Sequence, residues 1–201
     1  ANLLLDIHHR YIFWQLLCAL KYIHSAGIIH RDLKPSNMLI NSDASIKVCD
    51  FGLSRFVDEE KDNAQLTDYI ATRWYRSPEI LFGSNNYGFS IDMWAAGCIL
   101  AELVSGKPLF PGASTMDQLE RIISITGEPT QSDIESMNSQ LTETMLKNRT
   151  SPRPKMKLEQ KLSGASPEAI DLVSKLIAFN PMDRPTAEEC LAHPYLAQFH
   201  N

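Results

Sequence analysis

Apolar positions recur at helical spacing through Tyr11, Trp14, Leu17, Cys18 and Ile23, which predicts a helix from about Ile7 to Ser25 with Asp6 as its cap. Gly27 supplies a left-handed stop, and Ile28-Ile29 reads as a short β segment. Met38-Leu39-Ile40 and Ile46-Lys47-Val48 flank a polar turn and predict a small hairpin. Residues 53–72 carry the charge run Asp58-Glu59-Glu60-Lys61-Asp62 without any period, so they read as a mobile surface loop. The stretch Ile91 to Val104 is hydrophobic nearly all round, so it should be the buried central helix, ended by Gly106-Lys107-Pro108. Thr115 with Gln118 suggests a capping box for a helix carrying Leu119, Ile122 and Ile123. Residues 127–165 are broken by Pro129, Pro152, Pro154 and Gly164, and Arg149, Arg153, Lys155 and Lys157 read there as solvated surface. Ser166-Pro167 opens a helix to about Ala178, and Thr186 with Glu189 caps a last one.

Composition narrows the class. The 201 residues are 44% hydrophobic and 21% charged, ordinary for a soluble globular protein, and no internal repeat stands out. A net charge of −5 argues against nucleic acid as a partner, because phosphate binding calls for a basic surface. The longest apolar run is too short to span a bilayer, and no signal peptide is expected. Cys18, Cys49, Cys98 and Cys190 are scattered without metal-ligand spacing and read as reduced thiols of a cytoplasmic or nuclear protein.

The chemistry concentrates in His30-Arg31-Asp32-Leu33-Lys34-Pro35-Ser36-Asn37, followed by Asp50-Phe51-Gly52. Asp32 and Lys34 lie two apart, so an extended loop projects both to one side, where they can accept a hydroxyl proton and hold a negative leaving group. Asn37 and Asp50 offer the hard oxygens that Mg²⁺ takes when phosphate and water complete its shell.

In that order, these motifs resemble the catalytic loop and metal-binding tripeptide of protein kinases. Thr67-Asp68-Tyr69, placed before Ala71-Thr72-Arg73-Trp74-Tyr75-Arg76-Ser77-Pro78-Glu79, resembles the dual phosphorylation site of the mitogen-activated protein (MAP) kinase family, nearest its extracellular-signal-regulated branch. The resemblance implies an α+β, protein-kinase-like fold, here a mainly α-helical C-terminal lobe with a small β hairpin. It implies a catalytic loop at 30–37, an activation segment at 50–79 and a family insert at about 127–165. Asp32 is then the base, Lys34 steadies the transferring phosphoryl group, and Thr72 hydrogen-bonds both. Asn37 and Asp50 hold Mg²⁺ on ATP, Leu39 floors the adenine and Cys49 lines the rear of the nucleotide site, where it reads either as a thiol that an electrophilic ATP-site ligand could label or as a buried, inert one. Arg31 and Arg55 are implied partners of phosphorylated Thr67, and Arg73 and Arg76 of phosphorylated Tyr69. Glu79 is expected to pair with Arg184, and Asp92 to accept backbone N–H groups near His30 and Arg31, although Asp92 also reads as a plain helix N-terminal carboxylate.

Implied partners are protein substrates with Ser/Thr-Pro sites, an upstream dual-specificity kinase or self-phosphorylation, phosphatases and docking peptides; neither nucleic acid nor membrane is implied. Ser77 departs from the Ala usual in this motif. The Gly-rich loop, its lysine and the hinge of the smaller lobe are expected to lie outside residues 1–201, which would leave this stretch inactive alone. A cyclin-dependent-like kinase is disfavoured by Arg73 and Tyr69, and a non-catalytic docking module remains the alternative from another class.

Overall fold

The structure, a computed structural model, describes residues 4–57, 73–150 and 152–200. Thr67, Tyr69 and Thr72 therefore lie outside the described residues. In order, the elements are α1 (Asp6–Ser25), β1 (Ile28–Ile29), β2 (Met38–Ile40), β3 (Ile46–Val48), β4 (Arg55–Phe56), α2 (Pro78–Leu81), α3 (Ser90–Ser105), α4 (Thr115–Thr126), α5 (Gln131–Ser136), α6 (Leu141–Lys147), α7 (Leu158–Lys161), α8 (Pro167–Leu176) and α9 (Ala187–Leu191).

The expected central helix is α3, whose residues Ile91 to Ala101 are all buried. It packs against α8 and α1. Gly97 permits the crossing with α8, since a Cβ there would sit 2.7 Å from Leu176 Cβ and 3.1 Å from Ile177 Cγ2. Helix α1 turns Ile12, Phe13, Leu16, Leu17 and Leu20 into the same core. The expected hairpin forms, with Met38 opposite Val48 and Ile40 opposite Ile46. Gln15 of α1 ties it down, donating to the Ala44 carbonyl (3.0 Å) and accepting from the Ile46 N–H (3.0 Å).

Several expectations need correction. Asp6 is the first residue of α1 rather than its cap; Leu5 occupies the cap, and Asp6 instead pairs with Arg10 one turn on (2.6 Å). The segment after Gly52 is not wholly irregular, because β4 pairs antiparallel with β1, Ile29 opposite Arg55. Helix α4 is capped by Ser114, not Thr115, and the N–H its hydroxyl accepts is that of Asp117 (3.1 Å). Gln118 is buried and bonded elsewhere. Arg149 is not solvated but grips Glu120 (2.6 Å) and Glu128, whereas Arg153, Lys155 and Lys157 are exposed as expected, although Arg153 also pairs with Asp117 (2.6 Å). The local sequence offered these arginines no carboxylate, and the tertiary fold brings α4 alongside them. The caps at Ser166 and at Thr186 with Glu189 form as expected, although α8 ends at Leu176.

Candidate active site

The catalytic loop is held from below by α3. Asp92 stands in its first turn, fully buried, and accepts from the His30 N–H (2.9 Å) and the Arg31 N–H (3.0 Å). This is the contact the resemblance implied. A third donor was not expected: His24, at the end of α1, places Nε2 2.9 Å from Asp92 Oδ2 and stacks on Phe89 with centroids 4.6 Å apart. A carboxylate with three hydrogen bonds, charge-assisted in character, is a rigid support for the two peptide groups above it. Arg31 is held with φ 71°, a left-handed backbone costly for a side-chain-bearing residue, so the loop's shape depends on such external bonds.

His30 then joins the loop to the metal-binding tripeptide. Its Nδ1 accepts the Asp32 N–H (3.2 Å), which leaves the proton on Nε2 to donate to the Cys49 carbonyl (3.0 Å). Its ring meets Phe51 edge-on at 4.9 Å, and Ser54 Oγ donates to its carbonyl (3.3 Å).

Around that scaffold the reactive groups converge. Lys34 Nζ lies 2.8 Å from Asp32 Oδ2, the same-side placement inferred from their spacing. Asn37, 5% exposed, donates through Nδ2 to the Asp32 carbonyl (2.8 Å) and Oδ2 (3.2 Å). That commits the amide nitrogen, so the amide oxygen is the atom that would ligate a cation. The Asn37 carbonyl accepts the Cys49 N–H (2.9 Å), so Asp50 follows directly beside Asn37. Asp50 is exposed with φ 64°, a second strained backbone in the site. The donor set, one amide and one carboxylate oxygen, fits Mg²⁺ with phosphate and water completing its shell. Among the described residues no cluster of three or more His, Cys, Asp or Glu could hold a metal by itself.

Leu39 is 58% exposed, and Ile40, Phe51, Leu53, Phe56 and Val57 are exposed as well, an apolar surface around the site. Cys49 is half-buried. The β1–β4 pairing sets Arg55 beside the loop that carries Arg31. Arg31 lies over the Tyr87 ring (5.5 Å), and Arg55 is exposed. Arg73 donates to the Ala113 carbonyl (3.1 Å), and Arg76 is half-buried and engaged.

The segment from Arg73 to Glu79 is fastened at both ends. Tyr75 donates to Glu102 on α3 (2.6 Å); burial first, and this bond next, push its phenol far above the ordinary tyrosine range. Glu79, 1% exposed, meets Arg184 through both carboxylate oxygens (2.6 and 2.8 Å). The Ser77 hydroxyl is buried without a partner among the described residues.

His24 escaped the sequence reading because its partner is 68 residues away, and Gln118 was read only as part of a capping box because its partner Trp74 is 44 residues away. If His24 supports the loop through its N–H, His24→Gln should retain most of the activity that His24→Phe loses, roughly 10-fold or less for one neutral-to-charged hydrogen bond. Equal losses in the two variants, measured at matched thermal stability, would remove His24 from this role.

A fold in which a buried helix carboxylate carries a loop bearing Asp, Lys and Asn beside a second Asp defines the protein kinase class. The sequence pattern described as protein kinase domain matches residues 3–196, and the chain belongs to that family. Its similarity runs over the whole chain to mitogen-activated protein kinase 15 of Xenopus laevis (52% identical, 100% of this chain, 35% of the relative). Extracellular signal-regulated kinase 2 of Dictyostelium discoideum is 51% identical over 100% of this chain and 55% of the relative. Mitogen-activated protein kinase mpk-1 of Caenorhabditis elegans is 46% identical over 96% and 44%. The chain thus spans between about a third and little more than half of these curated relatives.

Proposed function

We propose that the protein transfers the γ-phosphoryl group of ATP to Ser/Thr hydroxyls followed by proline, as a MAP-kinase-type enzyme switched on by phosphorylation of Thr67 and Tyr69. The observation that carries this is the junction of Asp32, Lys34 and Asn37 with the backbone that leads into Asp50. Asp32 orients the substrate hydroxyl and accepts its proton, and Lys34 offsets charge at the departing phosphoryl group. Asn37 and Asp50 would hold Mg²⁺ on the nucleotide phosphates, where the cation neutralises charge developing on the transferred group. Arg31 and Arg55 receive the phosphate on Thr67, and Arg73 and Arg76 that on Tyr69. The apolar surface around Leu39 and Phe51 supports a smaller lobe seated there, carrying the adenine-binding groups and the remaining phosphate-binding lysine. Substrates, an upstream dual-specificity kinase or self-phosphorylation, phosphatases and docking peptides are its protein partners, in the cytoplasm or nucleus.

The test is direct. With ATP and Mg²⁺, the full-length protein, smaller lobe included and phosphorylated at Thr67 and Tyr69, should label a Ser-Pro peptide at ~1–100 s⁻¹ and its Ser-Ala counterpart far more slowly. Equal labelling of both peptides removes the proline requirement, and labelling of neither removes the kinase reading.

A further inference from the structure

The turn Pro111-Gly112-Ala113 is gripped from two sides. From α4, Asp117 Oδ2 accepts the Ala113 N–H (2.9 Å) and Gln118 Oε1 accepts the Gly112 N–H (3.0 Å). From the opposite side, Trp74 Nε1 donates to the Gly112 carbonyl (3.0 Å) and Arg73 Nη1 to the Ala113 carbonyl (3.1 Å). The backbone N–H and carbonyl of both Gly112 and Ala113 are therefore bonded. Gln118 closes the ring by donating to the Trp74 carbonyl (3.4 Å). The fit is close: a Cβ on Gly112 would lie 2.3 Å from Gln118 Oε1 and 2.7 Å from its Cα, and Gln118 is 0% exposed.

The brace extends outward into the insert. Asp117 Oδ1 takes Arg153 (2.6 Å), Asp117 Oδ2 takes Arg121 (3.0 Å), and Glu120 accepts the Arg153 backbone N–H (3.2 Å). Burial by itself would raise the Asp117 carboxyl, but the bonds from Ala113, Arg153 and Arg121 outweigh it and hold the group at about 2, a fixed anion at any working pH. None of Arg73, Trp74 or Tyr75 is fully buried, so hydrophobic burial alone does not set their position. Hydrogen bonds contribute to that placement, alongside the packing of Tyr75 against the core.

We propose that Gln118, Asp117 and Arg153 are positioning residues for the peptide-binding segment 73–77, through which the insert holds the pocket for the residue after the target Ser/Thr. This rests on the kinase reading above for what segment 73–77 binds, but the mechanical link does not.

Two readouts on the intact protein test it, in the variants Arg153→Gln, Gln118→Glu and Gln118→Met. Gln118→Glu keeps the acceptor for Gly112 and loses the donor to Trp74; Gln118→Met, similar in volume, loses both. Amide hydrogen exchange at 73–77 should quicken about 10-fold or more in Gln118→Met and about 3-fold in the other two, with α8 amides unchanged. The KM for a Ser-Pro peptide should rise about 5-fold or more, with kcat and the KM for ATP held within about 2-fold, and Arg153→Lys should restore part of it. Unchanged exchange at 73–77 in Arg153→Gln and Gln118→Glu overturns the proposal, as does quickening that spreads equally to α8. A parallel fall in kcat and rise in the KM for ATP also overturns it. If the protein transfers no phosphate at all, the kinase reading fails while the exchange result still decides the brace.

Discussion

Replacing Asp32 by Asn in the full-length protein is expected to lower kcat for peptide phosphorylation at least ~10²-fold, the ordinary cost of losing a positioned general base. The substitution keeps the side chain's size and one oxygen that Asn37 Nδ2 can still reach, so the loop's geometry should persist. What disappears is the proton acceptor and the negative charge facing Lys34 at 2.8 Å. Because the nucleotide is held by other groups, the KM for ATP should change little, and the loss should fall on kcat. Steady-state kinetics with a melting curve on each variant checks this. Activity within about 5-fold of the parent would refute the role assigned to Asp32, and a large fall in melting temperature would reassign Asp32 to stability.

The second large effect concerns architecture rather than chemistry. Glu79→Ala should destabilise the protein by ~3–5 kcal/mol, because it strands a guanidinium in the interior. Arg184 is almost wholly committed there. Besides Glu79 it donates to the carbonyls of Ala178 (2.8 Å), Phe179 (3.0 Å) and Ser90 (3.1 Å), and it lies over the Trp94 ring (5.0 Å). Those three carbonyls belong to the α8–α9 connection and to the start of α3, so the ion pair joins the segment Arg73 to Glu79 to both. For a chain of this size the loss corresponds to a melting temperature lower by roughly 10 °C. Replacing both partners with apolar residues of similar volume should be milder than either single change, since no unpaired charge is then buried. A calorimetric shift near zero for Glu79→Ala would mean that water reaches Arg184 and that the pair is not the anchor described.

The parts of this molecule legible in the sequence are those encoded within a few residues. Ser166-Pro167 and Thr186 with Glu189 are helix starts because each cap bonds an N–H three positions on. The hairpin at 38–48 was readable from two apolar triplets around a polar turn. Asp32, Lys34, Asn37 and Asp50 could be singled out together because their order and spacing resemble a family pattern. Even the 105-residue link from Glu79 to Arg184 was reachable, but only through that resemblance.

Where the local pattern competed with a distant partner, the distant partner won. Thr115 and Gln118 carry a capping-box spacing, yet Ser114 caps α4 through the Asp117 N–H, and Gln118 instead bonds Gly112 and, 44 residues away, Trp74. Arg149 read as solvated because nothing acidic lies within reach along the nearby chain, and α4 supplies Glu120 from 29 residues away, while Arg153 stays exposed even though it meets Asp117 36 residues away. The β1–β4 pairing joins strands of two residues each, too short for any period to be visible.

By itself, then, the sequence singled out the residues proposed to carry the chemistry, where α8 and α9 begin and which helix is central, because hydrophobic period and caps are properties of neighbouring residues. Only the tertiary structure decided what holds those groups in place: His24 on Asp92, His30 on Cys49, and Gln118 between the turn and Trp74. A buried hydrogen bond needs two groups brought within about 3 Å, and that is settled by the packing of whole elements, which no short window of sequence contains.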